Sequence, residues 1–167
     1  GRNIYIREGC YTCHSQMIRP FRDEVARYGE YSKAGEFVYD HPFQWGSKRT
    51  GPDLAREGGK YPDSWHYNHM LDPTAMTSGS LMPSYPWLFE DRIDKSKTYN
   101  MIKAMKKLGV PYPAGYENIA NDDLDKQAAI ITKNLAAEKI DVSPTDEIVA
   151  LIAYLQRLGA DIKADKN

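Results

Sequence analysis

Ile148, Leu151, Ile152, Leu155 and Leu158 fall on one stripe of an α-helix, and this is the clearest hydrophobic pattern in the chain. Ser143 can cap that helix with Pro144 at its first position, and Gly159 can end it. Two further helices are predicted upstream. Ser96 to Leu108 carries Tyr99, Ile102 and Met105, and Asp122 to Lys139 carries Leu124, Ala128, Ile131 and Leu135. A shorter helix should run from Asp63 to Leu71 and stop before Pro73. The N-terminal segment from about Asn3 to Gln16 completes the set. No run of alternating apolar and polar residues argues for a strand, so the chain reads as all-α.

Composition narrows the possible partners. The 167 residues suit one domain with a substantial core, and 12 Tyr and 3 Trp supply large side chains for it. Lys plus Arg number 22 against 23 Asp plus Glu, so there is no net positive field to hold nucleic acid. The longest apolar run, Ile148 to Leu155, is far shorter than the roughly 20 residues a spanning helix needs. The chain starts at Gly1 rather than Met, and an upstream segment is expected to have been removed.

Both cysteines lie in Cys10-Tyr11-Thr12-Cys13-His14, and C-x-x-C-H is a haem-attachment pattern. Two intervening residues let one turn present both sulfurs to a porphyrin edge while the next side chain reaches the iron. A disulfide across so small a loop would stabilise little, and a thioredoxin-like dithiol would need a βαβ context. The main rival is zinc held by Cys10, Cys13, His66 and His69, although two residues between the histidines is a short gap.

A haem iron with one His commonly takes Met as its second ligand. Met17 is too close to His14 to reach the opposite face, Met101 and Met105 read as core filler, Met70 sits in a helix and Met76 in a polar stretch. Met82 stands in the proline-stiffened loop Ser80-Leu81-Met82-Pro83-Ser84-Tyr85-Pro86-Trp87 and is the expected distal ligand. In the turn Thr50-Gly51-Pro52-Asp53-Leu54, the Pro52 carbonyl is a candidate acceptor for the other ring N–H of His14. Trp45, Arg49 and Arg19 are candidate donors to the haem propionates. Three other functions stay open: a free periplasmic electron carrier, a haem peroxidase or nitrite-type enzyme using His66 or His69 as acid–base group, and a docking module with a structural haem.

The ordered set C-Y-T-C-H, T-G-P-D-L, Trp65 through Pro73, Leu81-Met82-Pro83 and Glu147 through Leu155 resembles the class I cytochrome c domains. That resemblance implies a class I cytochrome c-like fold, Met82 as sixth iron ligand and Pro52 as support for His14. A single domain over residues 1–167 is expected, with an extra loop at 18–48 and a helical insertion at 84–142. The strings from Glu8 to Pro20, from Trp45 to Leu54 and from Gly109 to Tyr112 are similar to the monohaem subunit of C-type (cbb-type) haem–copper cytochrome c oxidases. This similarity implies one covalent haem c and a place on the periplasmic side of a bacterial inner membrane. It also implies a missing N-terminal transmembrane anchor, and electron transfer from a dihaem cytochrome c subunit toward the catalytic subunit. Catalysis of oxygen reduction would belong to that partner.

Overall fold

The computed structural model describes residues 1–164. Among the described residues eight α-helices follow one another: α1 (Arg2–Arg7), α2 (Arg22–Tyr28), α3 (Asp63–Leu71), α4 (Pro73–Met76), α5 (Thr98–Lys107), α6 (Tyr116–Ala137), α7 (Glu147–Arg157) and α8 (Ala160–Ala164). Among the described residues there is no strand beyond an isolated bridge between Arg92 and Asp146. The fold is all-α and cytochrome c-like, as the periodicity and the motif order predict.

Helix α7 is the centre of the core. Ile148, Val149, Leu151 and Ile152 are fully buried, and Leu155 and Leu158 continue the stripe. Ile4 and Tyr5 of α1 pack against it, with the Tyr5 and Tyr154 rings 5.2 Å apart. Leu135 and Ile131 of α6, Met70 of α3 and Leu88 close the other sides. This crossing of first and last long elements holds the Cys10 turn, which follows α1 directly, against the middle of the molecule.

Several boundaries differ from expectation, each for a local reason. The N-terminal helix stops at Arg7 instead of running to Gln16. Gly9 adopts φ +71°, Cys10–Thr12 forms a 3₁₀ turn, and the backbone from Cys13 onward pairs with the chain at 45–54. Helix α7 starts at Glu147, four residues beyond the expected Ser143 cap. The Asp146 carboxylate accepts from the Ser143 amide at 2.8 Å and from Arg92, and the Glu147 amide turns to the Asp91 carbonyl, so residues 143–146 close a turn instead. Helix α6 begins six residues before the expected Asp122, because Gly115 in a left-handed conformation starts it at Tyr116. Helix α3 has the expected bounds. Met101 and Met105 are not core filler: Met101 is largely exposed and Met105 half-buried, since α5 contributes no buried residue.

Candidate functional site

The chain after Gly9 turns tightly enough for the His14 amide to reach the Cys10 carbonyl at 2.9 Å. This brings Cys10, Cys13 and His14 onto one short surface. Both cysteines are free thiols, Cys10 half-buried against the core and Cys13 exposed. Burial, with Glu8 nearby, raises the Cys10 thiol to about 11. Such a thiol is the reverse of the low-pKa thiolate of a dithiol redox enzyme.

The loop 50–54 is pinned to this turn at both ends. Gly51 N–H donates to the Cys13 carbonyl at 3.0 Å and Leu54 N–H to the Ser15 carbonyl at 2.8 Å. Between these anchors His14 Nδ1 lies 2.8 Å from the Pro52 carbonyl oxygen. A carbonyl can only accept, so Nδ1 carries the proton and Nε2 carries a lone pair. Burial holds the imidazole pKa below its ordinary value, which keeps it neutral and able to bind a metal.

Gly51 is where the loop passes closest to the ring. A Cβ added there would lie 2.1 Å from His14 Cε1, so only glycine fits beside the imidazole. Gly51→Ala is expected to push the ring or the loop away and destabilise the protein by about 1–3 kcal/mol, the usual range for overpacking. Chemical denaturation measures the loss, and a wild-type midpoint would contradict the close approach.

Met82 is half-buried and packs, like Cys10 and Tyr85, against the common core cluster. Its loop is tied to α3 by the Tyr85 amide, which donates to the Met70 carbonyl at 3.0 Å. It is tied to the Cys10 turn by Trp87 Nε1, which donates to Glu8 at 3.0 Å. Burial, with Cys10 and Cys13 adding to it, raises the Tyr85 phenol to about 12. Of the other methionines, Met70 is enclosed in the core and Met76 is exposed.

The three candidate propionate donors differ in what they already hold. Trp45 packs in a ring cluster with Phe37 and Phe43, and its backbone carbonyl accepts from the Gln16 amide at 2.7 Å. Its indole Nε1 is buried without a hydrogen-bond partner. Arg19 and Arg49 instead turn their guanidinium groups to the Glu24 carboxylate.

His66 and His69, considered for zinc and for acid–base work, lie on α3. His66 is 1% exposed and packs edge-on against Trp65. His69 stacks on Trp65, with ring centroids 4.5 Å apart. Among the described residues no group of three or more His, Cys, Asp or Glu side chains is placed to hold a metal ion, so Cys10, Cys13, His66 and His69 do not come together. Burial is the main reason the His66 imidazole is brought down to about 4, with Asp63 opposing the shift and His69 adding to it. The unfolded chain, with an ordinary His near 6.5, therefore takes up the proton first as the pH falls. Stability is fully present above pH 6.5 and declines as the pH drops from 6.5 to 4, by on the order of 3 kcal/mol at most. Urea midpoints at pH 7 and pH 4.5 should show the decline, and His66→Gln should flatten it; an unaltered pH slope in the variant would contradict this origin.

The sequence offered no signal for the polar network behind His14. Asp53, 4% exposed, accepts from Ser15 Oγ at 2.6 Å and from the Met17 amide at 2.9 Å, and Arg49 Nε donates to Ser15 Oγ at 2.8 Å.

Comparison with known proteins agrees with the motif order. A sequence model of the family described as cytochrome c oxidase, mono-haem subunit/FixO, matches residues 1–162. No curated protein matches the chain. Among the described residues no helix is long and apolar enough to cross a membrane. With a match over nearly its whole length, the chain belongs to the cytochrome c oxidase mono-haem subunit/FixO family, the electron-transferring, haem-carrying subunits of a membrane-associated oxidase.

Proposed function

We propose that this subunit binds one haem c covalently through Cys10 and Cys13, with His14 and Met82 as axial ligands. It relays single electrons from a dihaem cytochrome c subunit to the catalytic haem–copper subunit, on the periplasmic side of a bacterial inner membrane. An N-terminal transmembrane helix would anchor it there. Residues 18–48 and 84–142 are additions to a minimal cytochrome c domain in this reading.

The observation that carries the proposal is the 2.8 Å contact between the Pro52 carbonyl and Nδ1 of His14, the residue that follows Cys13. It fixes the tautomer and orientation of the ring and leaves Nε2 for the iron. Two free thiols on the same turn and the partnerless Trp45 indole N–H also fit a haem, whose propionates need donors. When bound, haem c supplies a one-electron ferrous/ferric couple whose potential depends on its axial ligands and burial. The chain's own part is to hold and orient. His14 is kept neutral by burial, and the Met82 loop is fixed to α3 and to Glu8, which holds a soft thioether on the core cluster that Cys10 also packs against. The Tyr85 and Trp87 rings of that loop pack edge to face, 5.6 Å apart.

Pre-steady-state optical spectroscopy of the assembled oxidase complex tests the relay. The c-type absorbance of this subunit is expected to cycle between reduced and oxidised forms at the rate of turnover. A signal that stays static while oxygen is consumed would rule the relay out.

A further inference from the structure

The 18–48 segment holds a buried carboxylate that neither the haem-attachment motif nor the family assignment explains. Glu24 on α2 is 3% exposed. It accepts from Arg49 Nη2 at 2.7 Å, from the Arg19 amide at 2.8 Å and from the Arg19 guanidinium. A carboxylate so enclosed stays ionised only where fixed donors replace its water. Arg49 foremost, with Arg19, holds Glu24 down at about 2.

Arg49 is the branch point. While Nη2 is bound to Glu24 and, at 2.9 Å, to the Met17 carbonyl, Nε donates to Ser15 Oγ. Ser15 in turn donates to Asp53, whose other oxygen caps the Ala55 amide at 2.8 Å. Asp53 directly follows Pro52, and Ser15 directly follows His14. A continuous chain of contacts thus runs from Glu24 to Ser15 and Asp53, the sequence neighbours of both partners of the proximal hydrogen bond.

We propose that Glu24, acting through Arg49, is a positioning residue for the His14–Pro52 hydrogen bond and thereby sets how strongly the proximal imidazole donates to the iron. The inference rests on His14 being the haem ligand. A firm Nδ1–H to carbonyl bond increases ligand basicity and favours the ferric state. Loosening the brace weakens that bond and raises the reduction potential.

Two variants separate positioning from charge. Glu24→Gln removes a negative charge as well as the brace. Arg49→Lys keeps the charge, but a compact ammonium cannot span Ser15, Met17 and Glu24 as the planar fork does. Both are made in the haem-loaded full chain. Two quantities are read: exchange of the His14 Nδ1 proton by NMR in the reduced protein, and the midpoint of a potentiometric titration. The expected result is exchange faster by about tenfold, the size of one lost hydrogen bond, and a raised midpoint in both variants. If Glu24→Gln does not fold, Arg49→Lys alone decides. Wild-type exchange and midpoint in Arg49→Lys would overturn the proposal, even with a lower unfolding temperature, since a scaffold role moves only the latter. A wild-type protein without a His14-bound haem would instead remove the function proposed above, and this inference with it.

Discussion

Replacing Cys10 and Cys13 together by alanine is expected to leave a polypeptide from which acid–acetone extracts all haem, whereas extraction of the wild-type protein leaves it on the chain. The physical reason is the loss of both carbon–sulfur bonds at a turn where His14 alone would remain. The proposed covalent attachment would make ligation by His14 intramolecular, with the ligand held at a high effective concentration. Each single variant keeps one sulfur and so should retain haem through extraction. Cys10 is the half-buried member, packed on the core, and Cys13 the exposed one. Of the two single variants, Cys10→Ala should therefore also lower the unfolding temperature more, because it removes packing as well as a bond. Haem left on the double variant after extraction would contradict the assignment.

Met82→Ala is the second large effect. A thioether is a soft ligand that favours ferrous iron, and Met/His ligation raises the potential of cytochromes c. Its removal should abolish the weak near-infrared sulfur-to-iron band and lower the potential by a sizeable part of the roughly 0.8 V range that axial ligation spans. Little loss of fold is expected. The side chain is only half-buried, and its loop is held by the Tyr85 amide and the Trp87 indole, which the substitution leaves in place. An unchanged near-infrared band would move the ligand to another methionine. Met76 would be the first to test, because Met70 is locked in the core beside α7.

How much of this was legible in the sequence varied with how local the cause was. Helix α3 is bounded by Pro62 and Pro73, whose effects act within one or two residues, and its limits were readable. The α7 stripe was equally plain, but its first turn was not, because Asp146 and Glu147 bond to Arg92 and Asp91 from more than 50 residues away. Helix α2 went unseen: the residue it buries is Glu24, and a hydrophobic pattern has no mark for a buried carboxylate. The 3₁₀ turn at Cys10–Thr12 reads as part of a helix in the sequence, since the pairing that ends it comes from the 45–54 loop. At the site, the Cys10, Cys13, His14 spacing and the Gly51-Pro52 pair could be read because each is a local string. The Asp53–Ser15–Arg49–Glu24 chain could not, since it joins residues 25 to 38 positions apart.

The central claim, a covalent haem c between His14 and Met82, is tested most directly by the reduced-minus-oxidised visible spectrum of the intact protein. The account predicts the narrow α-band of a single low-spin, six-coordinate c-type haem. A high-spin spectrum that shifts rapidly on adding carbon monoxide, or a protein with no Soret absorption at all, would contradict it.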